Sequence, residues 1–155
     1  MNFKNNVNLK IIDESIETKL PAYATDGSSG MDVYSTNTED ITLLPGERKL
    51  FPLNFAVEIR YSDSNYEIQV RSKSGLALKH GISVLNSPGT IDYDFRGEVG
   101  IILINHGHEA YTVKPLQKIA QIVLQKIEKI NFRINDTELK DTARGDGGFG
   151  STGVL

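Results

Sequence analysis

The sequence predicts an all-β fold, a sandwich or jelly roll with one short helix and a flexible C-terminal tail. Short stretches rich in β-branched and aliphatic residues recur along the chain, and several alternate apolar and polar residues with period two. Turn signals separate them at near-regular spacing, a pattern that argues against alternating strands and helices. In order, the strand-like stretches are Val7 to Ile12, Leu50 to Ile59, Tyr66 to Val70, Val99 to Ile104 and Ile119 to Ile127. The apolar run of the last would also suit a helix, but its Ile and Val content favours a buried strand. Asp26 to Gly30, Pro45-Gly46, Ser87-Pro88-Gly89 and His106-Gly107 mark turns. Ser74 to His80 reads as the one helix, with Ser74 placed to cap it and Gly81 to end it. No repeat or linker interrupts the chain before its glycine-dense end, so residues 1–141 are expected to form one domain and 142–155 a separate segment.

A chain of 155 residues is long enough to bury about two-thirds of its unfolded surface in one domain. Hydrophobic content of 39% and charged content of 24% are ordinary for a globular protein. There is no cysteine, which excludes disulfides and thiolate metal sites. No apolar run is long enough to span a bilayer, and residues 1–6 lack the apolar core of a secretory leader. The net charge of −3 provides no basic field for nucleic acid, although a few local cations could still hold a small anion. These features lead to the expectation of a cytoplasmic small-molecule protein with no nucleic-acid or membrane partner.

The tail Arg144-Gly145-Asp146-Gly147-Gly148-Phe149-Gly150-Ser151-Thr152-Gly153 satisfies G-x-G-x-x-G at Gly145, Gly147 and Gly150. That pattern binds a pyrophosphate only between a strand and a helix, and too few residues follow for a helix. The P-loop reading fails as well, because Ser151 stands where its lysine should be. The physics of anion binding still applies. Glycines let backbone N–H groups approach an anion, Ser151 and Thr152 add hydroxyl donors, and Arg144 carries a planar fork suited to phosphate. Phe149 has no local core to join and suits stacking on a flat ring. A solvated tail with an incidental Phe would account for the same residues.

Asn86-Ser87-Pro88-Gly89-Thr90-Ile91-Asp92-Tyr93-Asp94-Phe95-Arg96-Gly97 closely resembles the uracil-binding hairpin of trimeric dUTPases. Ser29-Gly30-Met31-Asp32-Val33 resembles that family's first motif, Lys73-Ser74-Gly75-Leu76-Ala77 its second, Lys118-Ile119-Ala120-Gln121 its fourth, and Arg144 to Gly153 its fifth. All occur in family order across nearly the whole chain. The resemblance implies a distorted β jelly roll, or β-clip, assembled as a homotrimer with sites shared between subunits. The implied reaction is Mg²⁺-dependent hydrolysis of dUTP to dUMP and pyrophosphate. It would keep uracil out of DNA and supply dUMP for thymidylate synthesis.

By the same resemblance Asp92 orients and activates the attacking water; a carboxylate ionised at neutral pH can accept the proton. Asp94 is the expected turn-capping partner, and two positions apart on a strand the two would share a face. Asn86, the backbone of Gly89, Thr90 and Ile91, and Gly100 are the implied uracil readers. Phe95 is the implied aromatic floor of the deoxyribose, where the family more often has Tyr, and core packing would suit it equally. Lys73, Ser74 and Gly75 are the implied phosphate ligands, Ser74-Gly75 resembles a helix-start anion site, and Gln121 would bond a phosphate or position the metal's water. Asp32 is the implied holder of Mg²⁺ through ordered water. Arg144, Phe149, Gly150, Ser151 and Thr152 would close over the bound nucleotide as a lid.

Lys73 and Lys118 stand where the family usually has Arg; each keeps the charge and loses the bidentate fork. A solvated surface lysine remains an alternative for Lys118. Arg71 could reach the same anion if its strand extends that far. A dCTP deaminase shares the implied fold but needs a glutamate relay that is not evident near the hairpin, and a nucleotide-sensing trimer is a non-enzymatic alternative. His80, His106 and His108 lack the spacing of a metal set, and His106-Gly107-His108 reads as a solvated turn between strands. Asn135-Asp136-Thr137 matches a glycosylation sequon that matters only in a secreted chain.

Overall fold

Alternation in sequence becomes alternation in burial wherever a strand covers the core. The computed structural model describes residues 7–60, 65–134 and 138–149. Among them the order is β1 (Val7–Ile11), β2 (Ala22–Tyr23), β3 (Met31–Tyr34), β4 (Ile41–Leu43), β5 (Arg48–Pro52), β6 (Phe55–Ile59), β7 (Tyr66–Arg71), α1 (Ser74–His80), β8 (Ile82–Val84), β9 (Gly89–Ile91), β10 (Gly100–Asn105), β11 (Tyr111–Val113) and β12 (Lys118–Lys126). In β6, Phe55, Val57 and Ile59 point inward, and in β10, Ile101 and Leu103 do. They meet Phe51, Leu53, Val33, Ile82 and Ile119 in one apolar core.

The strands form antiparallel sheets in the orders β1-β6, β5-β10-β8, β11-β4 and β2-β3-β12-β7-β9. Among the described residues the fold is therefore all-β with one short helix, as expected, and the ambiguous stretch after residue 118 is the long strand β12. Several elements carry no signal in the sequence. Strands β2, β4, β8, β9 and β11 have two or three residues each, too few for a period of two to register.

Two local expectations are corrected. The stretch Leu50 to Ile59 is two strands, broken at Asn54, whose φ of 57° ends the extended run. Asn54 is buried there with its bonds satisfied: its N–H donates to Glu98 Oε1 (2.8 Å) and its Nδ2 to the Asp13 carbonyl (2.8 Å) and Thr18 Oγ1 (2.7 Å). Ser74 is not the helix cap. Lys73 takes that position in extended conformation, with no side-chain cap bond, because a lysine carries no acceptor for the free N–H groups. Gly81 does end the helix, in the left-handed conformation with φ 68°, its N–H donating back to Ala77.

Candidate functional site

On the five-stranded sheet, Asp32 of β3 lies opposite Gln121 of β12, which lies opposite Arg71 of β7. Residues directly opposed on antiparallel strands share a face, so these three form one rung. Lys118, three positions before Gln121, would fall on the other face of a regular strand. A register shift between Lys118 and Ala120 pairs Lys118 with Tyr34 and returns it to the face of Asp32. The consecutive buried residues Ile119 and Ala120 are the imprint of that bulge.

The carboxylate of Asp32 is almost fully buried and binds two ammonium groups. Lys73 Nζ pairs with Oδ1, and Lys118 Nζ pairs with Oδ2 at 2.8 Å. Gln121 Nε2 donates to Oδ1 at 3.3 Å. Burial pushes the Asp32 carboxyl up, but the bonds from Lys118, Lys73 and Gln121 together outweigh it and hold it below the ordinary carboxylate range. The same bond and the charge of Asp32 push the Lys118 ammonium up. Lys118 also lies 5.9 Å from the Tyr34 ring centroid, a neighbour that nothing in the sequence announces. The lysine pair thus has a defined counter-ion, and Lys118 is not a free surface lysine. Ser74 and Gly75 follow in the exposed first turn of α1, and a Cβ on Gly75 would meet open space.

The hairpin residues lie elsewhere. Gly89 begins β9, opposite Val70, and a Cβ there would come within 3.0 Å of Val70 Cβ and 3.3 Å of Asn86 Nδ2. Ile91 pairs with Ile68, so Asp92 sits near the start of β7 whereas Lys73 follows its end. The five steps of β7 from Tyr66 to Arg71 alone span roughly 17 Å. One chain therefore assembles Asp32, Lys73, Lys118 and Gln121 but does not bring Asp92 to them.

Strand β9 ends at Ile91, so Asp92 and Asp94 do not share a strand face as expected. The chain turns, with the Phe95 N–H donating to the Asp92 carbonyl (3.1 Å) and Arg96 Nη1 to the carbonyls of Tyr93 and Phe95 (2.8 Å each). Both carboxylates are exposed, with Asp94 inside the turn. Phe95 is 42% exposed and its ring lies over Gly97, not in the core. Gly100, opposite Pro52, lies beneath the Leu50 side chain.

In the tail, Arg144 Nε donates to the Gly147 carbonyl (2.8 Å) within its own loop, and Phe149 is fully exposed. Gly150, Ser151 and Thr152 lie outside the described residues, as does the sequon at 135–137. Among the described residues no three His, Cys, Asp or Glu side chains group as ligands for an ion. A lone carboxylate capped by two ammonium groups does not fit a bare resident Mg²⁺. Contact through ordered water would not require such a ligand set, since Mg²⁺ dehydrates reluctantly.

The dUTPase family model matches residues 17–153. The chain belongs to the dUTPase family. Deoxyuridine 5'-triphosphate nucleotidohydrolase of Fusobacterium nucleatum is 51% identical over 148 residues, covering 95% of this chain and 97% of that one. The protein of the same name from Chlamydia muridarum is 51% identical over 136 residues, covering 88% and 92%. Among solved structures, a Staphylococcus bacteriophage 80alpha dUTPase with dUPNHPP superposes with a TM-score of 0.83 at 21% identity, covering 97% of this chain and all of that one (100%). A phage phi11 dUTPase variant described as coordinating a structural Mg(II) ion superposes with a TM-score of 0.74 at 19% identity, covering 88% and 100%. At such identities the likeness establishes the shared dUTPase fold.

Proposed function

We propose that this chain hydrolyses dUTP to dUMP and pyrophosphate, with each site built from several copies of the chain. Membership of the dUTPase family across residues 17–153 is the observation that carries the reading. The geometry supplies independent support. A buried carboxylate holds two lysines on one sheet face beside an exposed helix start, which suits a polyphosphate. Water attacks the α-phosphorus, the bond to the α–β bridging oxygen breaks, and pyrophosphate departs with that oxygen. Asp92 accepts the water's proton. Lys73, Ser74, Gly75, Lys118 and Gln121 hold the phosphates; Mg²⁺ carried on the triphosphate would be held through ordered water at Asp32 and would neutralise phosphate charge.

Asn86, the backbone of Gly89 to Ile91, and Gly100 read uracil, because a wrong base would leave buried polar groups unpaired. Phe95 packs beneath the deoxyribose and excludes a 2′-hydroxyl. Residues 142–155 close over the nucleotide, with Arg144 and the hydroxyls of Ser151 and Thr152 on the γ-phosphate, Gly150 allowing close backbone approach and Phe149 on the uracil face. The cellular role that follows is cytoplasmic removal of dUTP and supply of dUMP.

A homotrimer is supported by the separation of Asp92 from Lys73 along β7. It is supported too by an apolar groove of about 200 Å³ lined by Leu9, Leu20, Met31 and Leu124. Beyond β12, Ile130, Phe132 and Ile134 stand at every second position at 75%, 89% and 97% exposure, apolar surface that a neighbouring copy would cover.

The test is release of pyrophosphate from dUTP, dCTP, dTTP and UTP in the presence of Mg²⁺. Turnover is expected with dUTP alone and its near-abolition in Asp92→Asn; ammonia release from dCTP would overturn the reading. Removing residues after 141 is expected to leave the fold and trimer intact with little activity.

A further inference from the structure

We propose that Arg71 is a third phosphate-binding cation of this site, supplying the bidentate fork that Lys73 and Lys118 lack. The inference rests on the proposed dUTP hydrolysis. Strand β7 extends to Arg71, and the rung Asp32–Gln121–Arg71 puts this residue on the face that carries the lysine–carboxylate cluster. Adjacent strands lie about 4.8 Å apart, so Arg71 is one strand away from Gln121, and Lys73 follows it by two residues.

The partners of Arg71 separate it from the lysines. Its Nε and Nη2 donate to Gln69 Oε1, at 3.3 and 2.8 Å. Gln69 Nε2 in turn donates to Glu67 Oε1 at 2.7 Å, which turns the amide oxygen toward the guanidinium. Both bonds from Arg71 go to a neutral amide oxygen. They orient the fork without cancelling its charge, and three of its five N–H groups remain for an anion. Lys73 and Lys118 instead share the charge of Asp32, so the cluster alone offers only one net positive charge to a polyanion. Adding Arg71 brings the charge of that cluster to two, with a planar donor set that matches two phosphate oxygens.

The experiment compares wild type, Arg71→Ala and Arg71→Lys for binding of an α,β-imido analogue of dUTP and of dUMP, with pyrophosphate release from dUTP alongside. Arg71→Ala should weaken the triphosphate analogue about 10-fold, as for loss of a charge-assisted pair of bonds, and leave dUMP unchanged. Arg71→Lys should recover only part of the loss. Unchanged binding of both ligands, or equal losses for the two, would overturn the assignment. A wild type that neither binds the analogue nor turns over dUTP would instead remove the functional reading on which it rests.

Discussion

The substitution Gly97→Ala probes the proposed sugar gate at Phe95 more finely than removal of Phe95 itself. A Cβ at residue 97 would lie 2.7 Å from Phe95 Cζ and 3.0 Å from Cε2. Carbon atoms in ordinary contact stand about 3.5–4.0 Å apart, so the ring has to move by about 1 Å. It is free to do so, because Phe95 is 42% exposed and its ring edge can swing into solvent. Gly97 is not among the glycines with positive φ, so alanine adds no backbone strain. The stability change should therefore be small, a melting midpoint within about 2 °C of wild type. A displacement of this size in a positioned site costs up to about 100-fold. The expected result is a 10- to 100-fold loss of preference for dUTP over UTP, read as the ratio of their kcat/KM values. An unchanged ratio with the same melting midpoint would refute the idea that Phe95 sets the sugar preference from its place over Gly97.

Asp32→Asn should destabilise the fold by about 2–3 kcal/mol at neutral pH, measured by urea unfolding. Breaking a buried pair from one side costs about 3–5 kcal/mol, reduced here because the Lys118 side chain is 46% exposed. Because the folded-state pKa of Asp32 is lowered, its contribution is present above the ordinary value of 3.8 and lost as pH falls through the lower folded value. The pKa of Lys118 is raised, so its contribution is present below 10.5 and lost as pH rises through its folded value. The mutant's stability profile should accordingly be flatter at both ends and meet that of wild type in strong acid. Gly81→Ala should lower stability by more than about 2 kcal/mol, since the left-handed φ alone costs about 1–2 and the new Cβ would lie 2.4 Å from the Gly107 backbone nitrogen. A melting midpoint within a degree of wild type would contradict the tight approach of these two turns.

Local chemistry makes much of this protein legible in its sequence. The period-two runs mark β6, β7 and β10, and the β-branched content of residues 119–127 identifies β12 despite its helical look. Gly81 announces the helix end because only glycine enters the left-handed region cheaply. The motif residues Asp32, Lys73, Lys118 and Gln121 are also readable, because their chemistry and order along the chain are properties of the sequence. Tertiary structure decides what each of them faces. The bulge before Ala120 turns Lys118 onto the face of Asp32, a choice made by strand pairing that no residue type encodes. Register also puts Arg71 on that face and sets Asp92 apart from Lys73 at the other end of β7. Period and turn propensity act over a few neighbours, whereas these juxtapositions are settled by how distant strands pack on a common core.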